Sequence, residues 1–357
     1  MRTILTTIVL SLLVLAVVPG VFAVSIGSGV TPVINTEKFA PLVWMCDHRL
    51  VTDDNTEPGR ISDGDQKLVE RINNYAFEGE KIHWKVLVMD KNGIDKVKDV
   101  FATVGSTQGA DNNIEANCQR IGGSNGDNIE SSCNAKILEE KLTKFDSSVM
   151  SYYDCTLTVE TPASMAGEYW VTVEATDLDD LSGTMAENEF WFFNPTIALS
   201  IDGNLAFDSV RPGTDSYSKT ILVGNDAQAG SGVMLDMFIS GTDFYDSASS
   251  GAKCPTTNQL SLSAFRYFAT SGAYSTSQDS RRDSEGYVGI AYGIGFNNPD
   301  PFYNNAEILQ AQKVGPYYNA NVLAPGAEMA LTFKLSMPEP CNGDFDTGSI
   351  NFWGEAI

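Results

Sequence analysis

The pattern that most constrains this chain is an apolar alternation with a period of two residues. It is clearest in Lys81-Ile82-His83-Trp84-Lys85-Val86-Leu87-Val88-Met89, where Ile82, Trp84, Val86 and Val88 fall on one face of an extended strand. The run ends in Asp90-Lys91-Asn92-Gly93, a tight-turn sequence because Asn-Gly tolerates positive φ, and residues 97–104 return as its partner. Residues 42–51, 153–160, 168–175 and 189–193 repeat the pattern, separated by Pro, Gly or acidic turn residues. Only Asp65–Tyr75 and Ala135–Phe145 have a helical spacing, the latter inside a long insertion at 105–150. Regular short strands with turns between them predict an all-β sandwich.

The first residues narrow the setting. Arg2, an apolar run from Ile4 to Val18, Pro19-Gly20 and Val21-Phe22-Ala23 have the form of a cleaved secretory leader spanning residues 1–23. The rival, a membrane anchor, needs about 20 apolar residues, and Pro19-Gly20 stops this run short. No later stretch is apolar enough to span a bilayer as a helix, so the mature chain is expected to be secreted, with no transmembrane segment and no anchor.

Export to an oxidising space predicts that the six cysteines form bridges. None stands in a Cys-x-x-Cys pair, which argues against zinc or redox use. With a domain boundary at Asn194-Pro195, where proline follows Phe190-Trp191-Phe192-Phe193, Cys254 is expected to pair with Cys341 unless a bridge crosses between domains. Closing so long a loop removes about 4.6 kcal/mol of unfolded-state entropy in the chain model. Cys118 and Cys133 bracket a Gly/Asn/Asp-rich loop and could staple it, leaving Cys46 for Cys155. Three pairings of those four residues remain open.

The expected organisation is two tandem β-sandwiches, 24–193 and 194–357, coupled by few linker residues. The second begins with a strand at 196–201. A Pro-Gly turn then precedes an alternating strand twice, Arg211-Pro212-Gly213 before Tyr217–Val223 and Ala324-Pro325-Gly326 before Met329–Leu335. The net charge of −23 grows by one when Arg2 leaves, and both halves are acidic. Such a surface repels phosphate backbones and anionic lipid, so nucleic acid and anionic membranes are poor partners.

No catalytic constellation emerges. There are two histidines, His48 and His83; Asp47 and His48 point to opposite strand faces, and Gly-x-Ser-x-Gly is absent. Carboxylate pairs suited to glycoside hydrolysis are too numerous in so acidic a chain for one to be chosen. Acidic turns are the sharper signal. Asp177-Leu178-Asp179-Asp180 follows a strand, and oxygen ligands spaced through a turn suit a hard cation. Asp53 and Asp54, with Asp63 and Asp65, form a second acidic set. The rings of residues 247–318, among them Phe265, Tyr267, Tyr292 and Tyr318, would either stack sugars or fill a core.

Phe77-Glu78-Gly79-Glu80 before the Trp84 strand, Asp90-x-Asn92-Gly93 after it, and Ala166-Gly167-Glu168-Tyr169-Trp170-Val171-Thr172-Val173-Glu174-Ala175-Thr176-Asp177 resemble the Ig-like modules of archaeal and bacterial surface proteins, of the cadherin-like and polycystic-kidney-disease-repeat kind. The resemblance spans residues 70–193 and is interrupted by the insertion. It implies an extracellular spacer or adhesion module, without a catalytic residue. It also implies calcium at Asp177, Asp179 and Asp180, although the full calcium pattern of those modules is missing. The turn-and-strand of residues 196–245 resembles the jelly-roll subunits of secreted fibre proteins related to the TasA and camelysin group. Together these imply a non-enzymatic, archaeal surface-layer, filament or envelope component that works by self-association. The alternative is a module that binds carbohydrate or cell-surface proteins, and a secreted hydrolase is third. The apolar, uncharged segment 24–35 is suited either to strand addition into a neighbour or to pairing within its own sheet.

Overall fold

The computed structural model describes residues 37–53, 73–107, 114–133, 142–186, 189–208, 210–293, 306–314 and 317–357. Nine strands make the first sandwich: β1 (Leu42–Asp53), β2 (Tyr75–Ala76), β3 (Glu80–Met89), β4 (Val97–Gly105), β5 (Ile114–Gly122), β6 (Met150–Thr158), β7 (Gly167–Asp177), β8 (Ser182–Thr184) and β9 (Glu189–Phe193). One layer runs β1-β3-β6-β5 and the other β4-β7-β9-β2, with β8 beside β7. Residues 97–104, expected to return beside β3, instead cross to the other layer as β4 and pair with β7 and β5, while β3 pairs with β1 and β6. β5 turns the corner between them. Its Ile114–Ala116 stretch pairs with β4, and its Asn117–Gly122 stretch pairs with β6.

The alternation in β3 does what its spacing requires. Ile82, Trp84, Val86 and Val88 are sealed between the layers against Val171, Val173, Trp191 and Phe193. Trp84 and Trp191 meet edge to face, with ring centroids 6.4 Å apart. Leu87 and Met89, on the outer face, are buried as well, because Ile129, Cys133 and Phe145 pack over them; of the span 105–150, expected as an insertion, Ile114–Gly122 is β5, an integral strand of the sandwich. Ile129, Cys133, Phe145 and Met150 form a small second core there with Trp44 and Cys46. The helical spacing expected at 135–145 does not produce a helix in its described part. Phe145 instead bonds from its N–H to the Asp127 carbonyl (2.8 Å), and Lys144 bridges to Asn128. Of the other expected helix, residues 65–72 lie outside the described residues and Tyr75 belongs to β2.

The bridges are Cys46–Cys133, Cys118–Cys155 and Cys254–Cys341. The tentative pairs Cys118–Cys133 and Cys46–Cys155 are therefore not the ones formed, and strand parity explains why. On β1, Val43 and Met45 face the inner core while Trp44 and Cys46 face out; on β6, Cys155 faces in with Tyr153 and Leu157. A bridge from Cys46 to Cys155 would have to pass through the sheet. Cys118 lies directly across from Cys155 in the β5/β6 register, and Cys133 pins the insertion to the outer face.

The second sandwich comprises β10 (Leu199–Asp202), β11 (Asp215–Tyr217), β12 (Ile221–Asn225), β13 (Leu235–Gly241), β14 (Phe244–Tyr245), β15 (Gln259–Leu260), β16 (Phe265–Ser271), β17 (Tyr274–Ser275), β18 (Val288–Gly289), β19 (Ala291–Tyr292), β20 (Lys313–Val314), β21 (Tyr317–Tyr318), β22 (Val322–Leu323), β23 (Glu328–Ser336) and β24 (Ile350–Ala356). Its larger sheet runs β10-β12-β23-β16-β17. The facing sheet is centred on β13, buried along its whole length, with β24 on one side and β19 and β22 on the other. The single strand expected at 217–223 is two strands, β11 and β12, both paired with β23.

Residues Phe39–Ile357 form one compact unit. Tyr75 and Phe192 of the first strand set belong to the core built around Val223, Leu235, Tyr267 and Phe333. Asn194 holds the joint between the sets. In a left-handed conformation (φ 47°), it donates from Nδ2 to the carbonyls of Glu160 (2.8 Å) and Met165 (2.6 Å) and accepts at Oδ1 from the Glu78 N–H (2.7 Å). Asn tolerates that backbone region better than most residues.

Candidate functional site

The acidic turn 177–180 is ordered by its own first residue. Asp177, 2% exposed, accepts at Oδ1 from the N–H groups of Asp179 (2.9 Å) and Leu181 (2.8 Å). Asp180 sits at φ 60° and reaches Lys98 Nζ at 3.0 Å on the surface. That ion pair takes Asp180 away from the other two, so the structure does not gather the three carboxylates. Of the second acidic set, Asp53 ends β1, and Asp54, Asp63 and Asp65 lie outside the described residues.

The structure adds a residue that sequence reasoning assigned only to a turn. Asp90 directly follows β3 and is fully buried; Oδ1 accepts from the Asn92 N–H (2.7 Å), while Oδ2 has no hydrogen-bond partner. The turn that it starts lies against the 177–180 turn. The Leu178 N–H bonds to the Lys96 carbonyl (2.8 Å), and Val97 is the strand partner of Asp177. Burial pushes the Asp90 carboxyl above its ordinary range, and repulsion from Asp177 and Asp179 adds to this against the Asn92 bond and the pull of Lys96. The signal was present in the sequence as two acidic turns: Asp90-x-Asn92-Gly93 crosses from β3 to β4 in the other layer, and Asp177-x-Asp179 closes the β7/β8 hairpin. Only the β4/β7 register makes them neighbours.

Among the described residues, one group brings three metal-type ligand atoms all within 4.8 Å: Cys46, Glu130 and Cys133. The two sulfurs are bonded to each other, so no thiolate is available there.

His83 stands between Thr52 and Asp154, with Nε2 3.2 Å from Thr52 Oγ1 and Nδ1 3.3 Å from Asp154 Oδ2. The order hydroxyl, imidazole, carboxylate is that of a nucleophile relay. Here it spans three neighbouring strands, and the Thr52 hydroxyl is buried beside the Lys81 carbonyl (3.5 Å). It is a cross-strand polar ladder. In the aromatic tract, Phe265 and Tyr267 are core residues, Tyr267 donating to the Ile308 carbonyl (2.9 Å). Tyr292 is exposed and bonded to Asp243 (2.8 Å).

A second surface feature is apolar. β10 ends its sheet: it pairs with β12 on one side and has no strand on the other among the described residues. On this strand Ile201 is 55% exposed, and Ile197 just before it and Leu205 after its closing turn are exposed as well. Leu205 also lines an open groove of about 440 Å³ with Phe207, Val210, Phe244, Phe265 and Met337. Edge strands are ordinarily protected by charge, proline or a bulge.

No family model and no curated protein sequence matches the chain. Among solved structures it is similar to a chain described as BspA_C_WT, at 9% identity over 87% of this chain and 96% of that one, with a TM-score of 0.28. BspA_C_mut has 9% identity over 89% and 95%, with a TM-score of 0.28. A chain described under "Chaperone-tip adhesin complex is vital for synergistic activation of CFA/I fimbriae biogenesis" has 10% identity over 91% and 87%, with a TM-score of 0.24. Likeness at this level carries no argument about fold or function.

Proposed function

We propose that this chain is a non-enzymatic, secreted component of a cell surface that self-associates by strand addition. The observation that carries the reading is the edge of β10, which has no further strand among the described residues, with Ile201 exposed on it and Ile197 and Leu205 exposed just before and after it. An edge of this kind presents unpaired N–H and C=O groups together with apolar surface, which is what an incoming extended segment requires. Residues 24–35 supply such a segment in sequence terms, being apolar and uncharged. Three disulfides support an oxidising compartment, in agreement with the secretory form of residues 1–23.

The test is assembly of the mature chain, followed by sedimentation velocity and electron microscopy. Wild type is expected to form polymers or a lattice, whereas deletion of residues 24–35 and Ile201→Lys each leave a folded monomer. Wild-type assembly by Ile201→Lys removes β10 as the acceptor. A deletion variant that cannot fold places the segment inside its own sheet and overturns the exchange.

A further inference from the structure

A small open cleft of about 220 Å³ lies where the first sandwich meets the second, lined by Asn73, Asn74, Phe190, Gly230, Ser231 and Gly232. The strands around it set the character of its walls. In β9 the alternation that sends Trp191 and Phe193 into the inner core turns Phe190 outward, 39% exposed. Trp170, its partner in the β7/β9 register, faces the same way, with its ring 5.5 Å from that of Phe190. The rest of the lining is polar. Asn73 donates from Nδ2 to the Gly232 carbonyl (2.7 Å), which leaves Oδ1 to accept. Asn74 donates from Nδ2 to Glu189 Oε1 (2.8 Å) and to the Phe190 carbonyl (2.9 Å), while its buried Oδ1 has no hydrogen-bond partner. Buried polar atoms are otherwise satisfied in folded proteins. Gly230 (φ 84°) contributes backbone without a side chain, and a Cβ there would meet nothing within 4 Å. None of the lining residues is charged.

We infer that this cleft is a subsite for one neutral sugar ring of a glycan, which stacks on Phe190 and hydrogen-bonds through its hydroxyls to the Asn73 and Asn74 side of the cleft. The lining selects that class. A pyranose has an apolar face of C–H groups and a rim of hydroxyls, each both donor and acceptor, and the cleft sets an aromatic face beside side-chain amides. Small-molecule sites combine aromatic surface with a few placed polar groups in the same way. Size agrees. Drug-sized ligands fill about 300–1,000 Å³, so this cleft takes a single ring and leaves Trp170, beside Phe190, for the next residue of the glycan. Charge disfavours acidic sugars, since no cation lines the cleft and the chain carries −23. The subsite is built from the residues before β2, the start of β9 and the turn before β13, and shares no residue with the β10 edge. It therefore adds a ligand to the surface role and does not depend on assembly.

The test is titration of the full mature chain with cellotriose, maltotriose, mannotriose and chitotriose, and with trigalacturonate as the anionic control, read by isothermal calorimetry and by tryptophan fluorescence. At least one neutral trisaccharide is expected to saturate the protein at millimolar concentration with a change in emission, and trigalacturonate is not. Phe190→Ala and Trp170→Ala, each checked for an intact fold by circular dichroism, are expected to weaken that binding at least tenfold. Phe190→Tyr keeps it, and Trp170→Phe removes the emission change while the heat of binding persists. Ile201→Lys and Tyr292→Ala leave it unaltered, which separates this subsite from the β10 edge and from the exposed tyrosine of the second sandwich. The absence of heat with every neutral trisaccharide, binding of trigalacturonate alone, or binding that survives Phe190→Ala overturns the subsite.

Discussion

The phenol of Tyr75, in the first sandwich, donates a hydrogen bond to the main-chain oxygen of Ile357, in the second. Both residues are fully buried, and Tyr75 is part of the second sandwich's core. Removing the hydroxyl leaves a buried acceptor unpartnered, which costs about 1–3 kcal/mol. Tyr75→Phe is therefore expected to lower the urea midpoint with an unchanged m-value. Because the core is shared, the unfolding trace should remain a single transition. Two separated transitions in wild type would show that the sandwiches do not depend on each other.

Asn194 joins three backbone groups from separate segments while holding positive φ. Asn194→Gly relieves the backbone but loses all three bonds. Asn194→Ala loses the bonds and adds left-handed strain of about 1 kcal/mol. The expected order of stability is wild type, then Gly, then Ala, with Ala lower by roughly 2–4 kcal/mol when about 1 kcal/mol is assigned to each bond. Chemical denaturation of the three proteins measures this order, and Ala equal to Gly would remove the backbone part of the argument.

Asp236 and Glu307 give the second sandwich a pH dependence. Asp236 is buried on β13, and its carboxyl is raised from 3.8 to about 7, first by burial and then, against the Asn321 bond, by repulsion from Glu307 and Glu355. Glu307 is raised from 4.5 to about 7, again first by burial, with the Gln310 bond and the charges of Arg281 and Lys313 opposing and Asp279 adding repulsion. The native state thus holds protons that the unfolded chain has already released. Stability from these groups is full below about pH 4, declines as pH rises to about 7, and is then flat. The total is on the order of a few kcal/mol. Asp236→Asn keeps the acceptor for Asn321 Nδ2 (2.7 Å) and should flatten the profile between pH 5 and 8 while raising stability at pH 8. A wild-type profile that rises over this interval would contradict the assignment.

The disulfides differ in the loops they close. Cys254–Cys341 and Cys46–Cys133 each span a separation of 87, and Cys118–Cys155 one of 37. The chain-entropy model gives about 4.6 kcal/mol for the longer loops and about 3.8 kcal/mol for the shorter. Paired Cys→Ala variants measured by guanidinium unfolding should rank accordingly. The Cys46/Cys133 pair should also loosen the small core around Phe145, visible as faster amide exchange at Ile129 and Phe145. Protection there equal to wild type would assign that core to packing alone.

The local alternation of Ile82, Trp84, Val86 and Val88 was enough to place β3 and its turn but not its partners: residues 97–104, expected beside it, form β4 in the other layer, and β3 pairs with β1 and β6. The strands at 42–53, 167–177 and 189–193 were legible for the same reason: a side-chain period of two is a property of the chain itself. The all-β class followed from it, and Cys254–Cys341 from counting cysteines on either side of Asn194-Pro195. What the tertiary structure decided were relations between strands distant in sequence. Which face of β1 carries Cys46, and which residue of β5 stands across from Cys155, depend on how the strands are packed and registered, and these set the remaining two bridges. Whether Asp180 joins Asp177 or turns to Lys98 depends on a left-handed turn residue and on β4 lying beside β7. The same register brings Asp90 to Asp177 and Asp179, and local sequence carries no record of register between segments so far apart.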